Sequence, residues 1–336
     1  MNRLPHRTPL AFGRALGDGL RRALSRPLVR WLLSLSLLAG VALRVDVQAL
    51  AARLAALSPG WLVLALVVTV PQVGLSAWRW RLTARHMGLA LPFRHAVAEY
   101  YLATFLNQLL PGGVSGDLGR AWRHGSDTDA RGAALRAVVI ERSSGQLALA
   151  LVALASLAAF TPLREGLSNA LRDTTVGLAG ASGVVAVMGT VAFAAPALLI
   201  AAGREPRWLA TLRLDLRRSL WASQLWRRQL LSSLAIVATY IIVFICCARA
   251  LGETLALGTL LALSPPVLMA MAIPLSVAGW GIRESAAALV WILAGLPAQQ
   301  GVAISMTYGV VVLVSSLPGA ARLLYRRAHR RRATVR

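Results

Sequence analysis

Long runs of apolar residues alternate with short arginine-rich stretches along this chain of 336 residues. A helix needs about 20 mainly apolar residues to cross a bilayer, and several runs reach that length while others fall short of it. The pattern therefore predicts an all-α polytopic membrane protein with about six to eight transmembrane helices and one or two broken or re-entrant segments. The runs cover residues 31–43, 61–78, 96–110, 138–160, 176–202, 230–250, 255–273, 285–296 and 302–317.

The same ten-residue pattern, Pro-x-x-Val-x-Gly-x-x-x-Arg, directly follows two of these runs. One copy runs from Pro111 to Arg120 and the other from Pro274 to Arg283. Irregular backbone inside a membrane is tolerated only where protein or a water-filled cavity satisfies its polar groups. Interrupted segments at corresponding places in two halves of a chain point to the binding site of a transporter. We therefore interpret the copies as an inverted repeat; the alternative is that four matched positions coincide by chance.

Arginine placement predicts the orientation of the chain. Every one of the 36 basic residues is arginine, and 29 of them lie in five stretches, at 1–30, 79–94, 120–136, 204–228 and 322–336. The positive-inside rule assigns these stretches, and hence both termini, to the cytoplasm. We expect basic tails at 1–27 and 326–336 around a single transmembrane domain at 28–325. Within that domain, residues 204–228 are predicted to form an amphipathic linker on the cytoplasmic surface.

This orientation constrains both copies of the pattern. The chain between 79–94 and 120–136 must enter the membrane and return on the same side, so the first copy is predicted to be the tip of a re-entrant element. The second copy is either re-entrant from the outside or a connection between full spans at 255–273 and 285–296. The two topologies have about six crossings with two hairpins or about eight crossings with one hairpin, and both leave the termini inside.

Charged and polar side chains inside or beside apolar segments are the candidate substrate-binding residues. A charge at a helix centre costs about 2.5–3.5 kcal/mol on insertion scales, so such residues are expected to have a role. A guanidinium suits phosphate because it donates two parallel hydrogen bonds. The alternative for the acids is that they neutralise arginines and join helices. The predicted set is Arg120, Arg142, Arg283, Glu141, Glu284, Asn107 and Asp117.

A second set of residues is predicted to form the hinges of the two breaks. Glycine permits tight turns and close helix approach, and backbone N–H groups at a helix N-terminus can bind phosphate. The spacing does not match a Walker A or a dinucleotide-binding loop. The predicted hinge residues are Pro111, Gly112, Gly113, Gly116, Pro274, Gly279 and Gly281.

Other titratable residues give weaker signals. Glu99 is predicted to be a proton carrier, with a structural ion pair near the cytoplasmic end as the alternative. The five histidines and the adjacent Cys246 and Cys247 lack metal-ligand spacing, and no nucleophile elbow is present. We therefore predict no catalytic residue, no metal and no cofactor. Arginines that flank apolar runs favour anionic lipid as the partner and argue against nucleic acid.

Three ordered segments, 107–120, 141–145 and 274–284, carry a resemblance to a known family. The chain resembles the lysylphosphatidylglycerol synthase transmembrane-region family, also called flippase-like membrane proteins, over about residues 28–325. The resemblance implies a multi-pass protein of the bacterial cytoplasmic (inner) membrane that moves a lipid between leaflets. The aminoacyl-transferring members carry an additional soluble catalytic domain, which we do not expect here.

The leading hypothesis is therefore a flippase for an anionic phospholipid, a polyprenyl phosphate or a hopanoid-type lipid. No ATP site is visible, so transport would be passive or coupled to an ion gradient. The first rival is a membrane-embedded enzyme or enzyme subunit of envelope-lipid synthesis. The second is a non-transporting scaffold that binds partner enzymes of lipid synthesis.

Overall fold

The computed structural model describes residues 57–110, 113–172, 225–271 and 278–334, together with positions 32, 35 and 36. Within these ranges the chain is helical and contains no strand, which confirms the predicted all-α class. The helices are α1 (Pro59–His86), α2 (Phe93–Leu109), α3 (Ser115–Asp127), α4 (Arg131–Ala159), α5 (Thr161–Arg172), α6 (Leu225–Ala250), α7 (Leu257–Ala270), α8 (Ile282–Leu293), α9 (Ala298–Ser315) and α10 (Leu317–Thr334).

Four helical segments of the described chain are long and apolar enough to cross a membrane. They are Pro59–His86, Arg131–Ala159, Trp226–Ala250 and Ala298–Arg326, the last formed by α9 and the first part of α10. At 1.5 Å per residue, even about 25 residues rise further than the roughly 30 Å hydrocarbon core. The predicted multi-pass membrane protein is confirmed. The runs at 31–43 and 176–202, the tail at 1–27 and the linker at 204–228 lie outside the described residues, apart from the three isolated positions.

The helices around the second break are short. Helix α7 has 14 residues and α8 has 12, which correspond to rises of about 21 Å and 18 Å. Neither length reaches across the hydrocarbon core of about 30 Å. Neither helix is therefore among the four segments long enough to span a membrane.

Leucine and valine stripes cover the outer faces of the long helices. Val63, Val67 and Val70 on α1 are each more than half exposed, and Leu147 and Leu151 on α4 are exposed to the same degree. Their spacing of three or four residues places them on one face of each helix. An apolar outer face is expected for a helix whose surroundings are lipid rather than water.

The interior packs around α6. Helix α6 lies along α1, and α4 contacts both of them. The Phe244 ring of α6 is 5.8 Å from that of Tyr308 on α9 and 6.3 Å from that of Trp291 on α8, measured between ring centroids. These fully buried rings join α6, α8 and α9, and the same core cluster includes Ala65 of α1 and Leu149 of α4.

The chain turns back sharply at both breaks. In the α2–α3 hairpin a Cβ at Gly116 would lie 2.0 Å from the carbonyl oxygen of Ala103, so only glycine permits this approach. At the second break the φ angles of Ala278, Gly279 and Gly281 are 54°, 81° and 85°. Such values are easily adopted by glycine, whereas Ala278 is strained there.

Candidate functional site

A cavity of about 220 Å³ lies where the two breaks meet. Gly113 and Asp117 line it from the first break, and Ala278 and Gly279 line it from the second. Helices α1, α2, α4, α6, α7 and α9 supply the remaining walls. The described residues of both breaks therefore face one interior space, although the two segments are far apart in sequence.

Five charged side chains form a continuous network at one wall of the cavity. The Arg79 guanidinium donates to Glu141 Oε1 from Nε at 3.1 Å and from Nη2 at 2.5 Å. Arg120 joins the two acids, since its Nη2 donates to Glu141 Oε2 at 2.6 Å and its Nε to Asp117 Oδ1 at 2.9 Å. Arg142 Nη1 donates to Asp117 Oδ2. Positive and negative groups thus alternate from α1 through α4 and α3.

Arg120 is the best-shielded member of this network. Its side chain is fully buried, and the guanidinium carbon lies 4.5 Å from the Trp80 ring centroid and 4.6 Å from that of Tyr100. Aromatic faces attract a cation, and the attraction is stronger where water is excluded. Arg120 therefore ties α3 to α1, α2 and α4 through two aromatic rings and the Glu141 carboxylate.

Arg142, in contrast, can be reached from the cavity. Its side chain is 31% exposed, whereas those of Arg79 and Arg120 are 5% and 0% exposed. Its Nη2 also donates to the carbonyl oxygen of Gly113 at 3.1 Å. Arg142 thus connects the backbone of the first break to the accessible side of the charged network.

Asn107 and Asp117 hold the start of α3. The Asn107 amide donates to Asp117 Oδ2 at 2.8 Å and accepts from the Gly116 N–H at 2.7 Å. Both oxygens of the Asp117 carboxylate accept from guanidiniums, Oδ1 from Arg120 and Oδ2 from Arg142, and such hydrogen bonds favour the charged form of the carboxyl.

Two lining residues carry buried polar atoms that have no partner within the protein. These atoms are Arg142 Nε, a donor, and Gln72 Oε1, an acceptor. A buried polar atom without a hydrogen bond costs about 1–3 kcal/mol. Such atoms on a cavity wall are positions where a bound molecule would gain hydrogen bonds.

The rest of the lining is part polar and part apolar. Tyrosine hydroxyls, amides and small hydroxyls line the cavity together with aliphatic side chains. Such a cavity suits a molecule with a polar head and an apolar body. The polar residues are Ser76, Tyr100, Tyr101, Thr104, Gln108, Gln146, Ser233, Tyr240, Tyr308 and Ser315; the apolar ones are Val73, Leu149, Ile236, Val237, Leu268, Met271 and Val312.

The predicted pair Arg283 and Glu284 lies behind the cavity wall. Arg283 Nη2 donates to Glu284 Oε1 at 2.6 Å, and its Nε donates to Ser305 Oγ at 2.9 Å. Glu284 Oε2 also accepts from the Gly281 N–H at 2.7 Å and so caps α8. Both side chains are fully buried. Among the described residues that line the cavity, Arg283 contacts Tyr308, whose ring lies under its guanidinium, and Met271, whose Sδ is 3.9 Å from Nη1.

Glu99 lies at a different place in the fold. Its carboxylate accepts from Arg123 Nε of α3 at 2.5 Å and is 3.2 Å from Arg326 Nη1 of α10. It does not line the cavity. The surroundings of Glu99 correspond to the structural ion pair considered as the alternative to a proton carrier.

The structure brings most of the predicted substrate-binding residues into one network. Arg120, Arg142, Glu141, Asn107 and Asp117 interact directly, whereas the Arg283–Glu284 pair is separate. Gly113 and Gly279 line the cavity, Gly116 packs behind it, and Gly281 begins α8. The predicted hinge residues Pro111, Gly112 and Pro274 lie outside the described residues.

Arg79 is the main member of the charged network that the sequence did not predict. It directly follows the apolar run 61–78 and was assigned to a cytoplasmic stretch. Helix α1 instead continues to His86, so Arg79 is buried about 10 Å before the helix end. Ser233, which accepts from Arg79 Nη1 at 2.9 Å, was missed as well. The available signal was Glu141 itself, since a carboxylate buried in an apolar helix needs a cationic partner elsewhere in the fold.

Metal ligation has no support in the part of the chain that the structure describes. No group of three or more histidine, cysteine, aspartate or glutamate side chains is arranged to bind a metal ion within those ranges. Cys246 and Cys247 are buried, unpaired thiols that pack within the core.

Comparison with known proteins gives one match. A family described as "Lysylphosphatidylglycerol synthase TM region" matches residues 28–319, which is most of the chain. No curated protein and no solved structure matches significantly.

Proposed function

Because the chain belongs to the family of the lysylphosphatidylglycerol synthase transmembrane region, we propose that it moves an anionic lipid between the leaflets of a bacterial cytoplasmic membrane. One observation carries the proposal: both broken segments meet at a cavity whose wall holds a network of three arginines and two acids. Charged groups within a membrane domain are costly, and they commonly mark the pathway of a polar substrate. The headgroup of a lipid is such a substrate.

Arg142 is the residue that would bind the headgroup. It is the most exposed guanidinium of the network, and its Nε has no partner within the protein. A phosphate oxygen at this position would accept a charge-assisted hydrogen bond, which is roughly twice as strong as a neutral one. Arg79 and Arg120 would add positive potential from behind, while the apolar wall would contact the first part of the acyl chains.

The two breaks would provide the movement. We propose that α2–α3 is re-entrant from the cytoplasm and α7–α8 from the outside, which would place the cavity near the middle of the membrane. The hinge residues at 111–116 and 274–281 would let one hairpin move while the other stays closed. The headgroup would then be reached from one leaflet at a time. Transport would be passive or driven by an ion gradient.

Lipid movement by purified protein tests the proposal. We expect Arg142→Gln in phosphatidylcholine vesicles to slow the movement of acyl-labelled phosphatidylglycerol by about tenfold or more, since a hydrogen bond to a charged group contributes about 1.5–3 kcal/mol. Dithionite quenching of the label measures the outward-facing fraction over time. The matched control is Arg85→Gln, at an exposed position of the same charge on α1, which should leave the rate unchanged.

The same vesicles separate this proposal from its rivals. Mass spectrometry of the extracted lipids would detect a chemically altered lipid if the protein were an enzyme. Normal lipid movement by Arg142→Gln would contradict the proposed headgroup site. Absence of movement with every lipid tested, including by the unaltered protein, would favour the scaffold.

A further inference from the structure

The charges of the cavity network do not balance. Arg79, Arg120 and Arg142 contribute three positive charges, and Asp117 and Glu141 contribute two negative charges, which leaves a surplus of one positive charge. Each carboxylate is shared by two guanidiniums, and arginine stays protonated in proteins. The surplus therefore does not depend on pH in the neutral range.

Neighbouring groups do not change this sum. Arg283 and Glu284 form a closed pair behind the wall and cancel each other. Tyrosine side chains that line the cavity are neutral at physiological pH, because an unperturbed phenol has a pKa of about 10. Among the described residues, those that line the cavity and carry a charge are Arg79, Asp117, Glu141 and Arg142, which balance one another. The surplus is the charge of Arg120, which lies directly behind this wall and contacts both carboxylates.

A buried surplus charge is best compensated by one charge of opposite sign. A headgroup with one negative charge would make the occupied cavity neutral, whereas a headgroup with two would leave an uncompensated negative charge in a medium of low polarity. Uncompensated charge is strongly unfavourable in such surroundings. The second carboxylate of the network, Asp117, thus decides whether one or two negative charges can be accommodated.

The two unpartnered atoms on the cavity wall indicate which hydrogen-bonding groups the headgroup should carry. Arg142 Nε can donate to a phosphate oxygen, and Gln72 Oε1 can accept from a hydroxyl or an N–H group. A phosphodiester that carries a hydroxylated alcohol offers both an acceptor and a donor with a single negative charge. A phosphomonoester offers acceptors and, at alkaline pH, two negative charges.

We infer that the cavity selects lipids with a singly charged phosphodiester headgroup over phosphomonoester lipids, and that Asp117 sets this selectivity. The inference rests on the proposed lipid movement and adds the class of headgroup. Asp117 acts through charge balance, since it already accepts hydrogen bonds from Arg120, Arg142 and Asn107.

The rates of two labelled lipids, measured in matched vesicles, test the inference. Vesicles of phosphatidylcholine contain acyl-labelled phosphatidylglycerol as the phosphodiester or acyl-labelled phosphatidic acid as the phosphomonoester. They are assayed at pH 8, well above the second phosphate pKa of about 6. We expect the unaltered protein to move phosphatidylglycerol at least about tenfold faster, and Asp117→Asn to reduce that ratio by about tenfold. Asp127→Asn on the exposed side of α3 is the matched control and should keep the ratio.

A second variant changes the charge without removing a native contact of the network. Gln146→Glu introduces a carboxylate into the cavity lining and cancels the surplus. We expect it to slow phosphatidylglycerol relative to neutral phosphatidylcholine by about tenfold. If Asp117→Asn does not fold, as judged by gel filtration, Gln146→Glu still tests the inference. An unchanged rate of phosphatidylglycerol relative to phosphatidylcholine in this variant would contradict it.

The outcomes separate the inference from the proposed function. Equal rates for the two anionic lipids with the unaltered protein, or an unchanged ratio in a folded Asp117→Asn protein, would overturn charge selection while leaving lipid movement intact. If no lipid moves, the proposed function fails, and native mass spectrometry still compares how much of each lipid the protein retains. Thermal stabilisation by inorganic phosphate but not by phosphatidylglycerol would overturn the assignment to a lipid.

Discussion

At the residue scale, the buried network depends on acids that each serve two arginines. Glu141 accepts from Arg79 with one carboxylate oxygen and from Arg120 with the other. All three side chains are buried, so loss of the carboxylate would leave guanidiniums without a compensating charge. Removing one partner from a buried ion pair is much more harmful than removing an exposed charge.

Glu141→Gln is therefore expected to lower the free energy of unfolding by about 3–5 kcal/mol. The matched control is Glu165→Gln, at an exposed position on α5, for which we expect a change within about 0.5 kcal/mol. Thermal denaturation of both variants in the same detergent, followed by circular dichroism, measures the difference. Equal melting temperatures would mean that Glu141 is not a structural centre of the network.

The contacts of Arg283 and Arg142 also give these two residues different roles from those that the sequence suggested. Arg283 and Glu284 form the charged pair at the end of the second pattern. The Arg283 guanidinium, however, already donates hydrogen bonds to Glu284 and Ser305. Gly309 provides the space for it, because a Cβ there would lie 2.3 Å from Arg283 Nη2. Its predicted role in substrate binding would therefore be exerted through the positions of Tyr308 and Met271, whereas Arg142 is the residue that a headgroup would touch.

At the element scale, the α2–α3 hairpin is fixed at both of its ends. Near the cavity, Asn107 bridges from α2 to the first turn of α3. At the other end, Glu99 on α2 contacts Arg123 of α3 and Arg326 of α10. The hairpin is thus anchored to the last helix at one end, and any movement at the first break would have to release the Asn107 contacts at the other end.

Gly116→Ala tests how closely the two arms of the hairpin must approach. The new Cβ would lie 2.0 Å from a backbone oxygen of Ala103, so α3 must move away from α2. We expect a loss of about 2 kcal/mol or more of stability and a large loss of lipid movement. In Gly74→Ala, on α1, the added Cβ meets nothing within 4 Å. That control should be neutral or slightly stabilising, because alanine favours helices; a similar loss in both variants would contradict the close approach.

At the scale of the whole molecule, the proposed re-entrant hairpin makes a topological prediction. Arg94 precedes most of α2 and Ser126 lies near the end of α3, and both are exposed. Cysteines introduced singly at these two positions should react with a membrane-impermeant maleimide from the cytoplasmic side. Thr254→Cys, between α6 and α7, should react from the opposite side. Labelling is measured on inside-out vesicles and on intact cells.

The native cysteines should not react with the maleimide, since Cys246 and Cys247 are buried in the core. Reaction of the Arg94 and Ser126 positions from opposite sides would show that α2 and α3 together cross the membrane. That result would exclude the proposed symmetry between the two breaks, while the cavity itself would remain.

The sequence by itself determined the class of this protein. Membrane insertion depends on the apolar content of each segment, so the long runs predicted α1, α4, α6 and the α9–α10 span without knowledge of their neighbours. The two breaks were visible because proline and glycine interrupt a helix locally. The family resemblance lies in the same local segments and is confirmed by the match over residues 28–319.

Only the tertiary structure decided which charged groups meet. Arg79 and Glu141 are 62 residues apart, and Arg79 and Ser233 are 154 apart. Such pairs depend on how each helix is rotated and on which helices are neighbours, and neither is encoded in the hydropathy of one segment. The sequence therefore predicted that polar breaks would face a cavity, but the fold assigned Arg142 to its accessible wall and buried Arg283 beside Glu284. The physical reason is that a charge in a low-dielectric interior is stable only beside its partners, and packing across the whole chain chooses those partners.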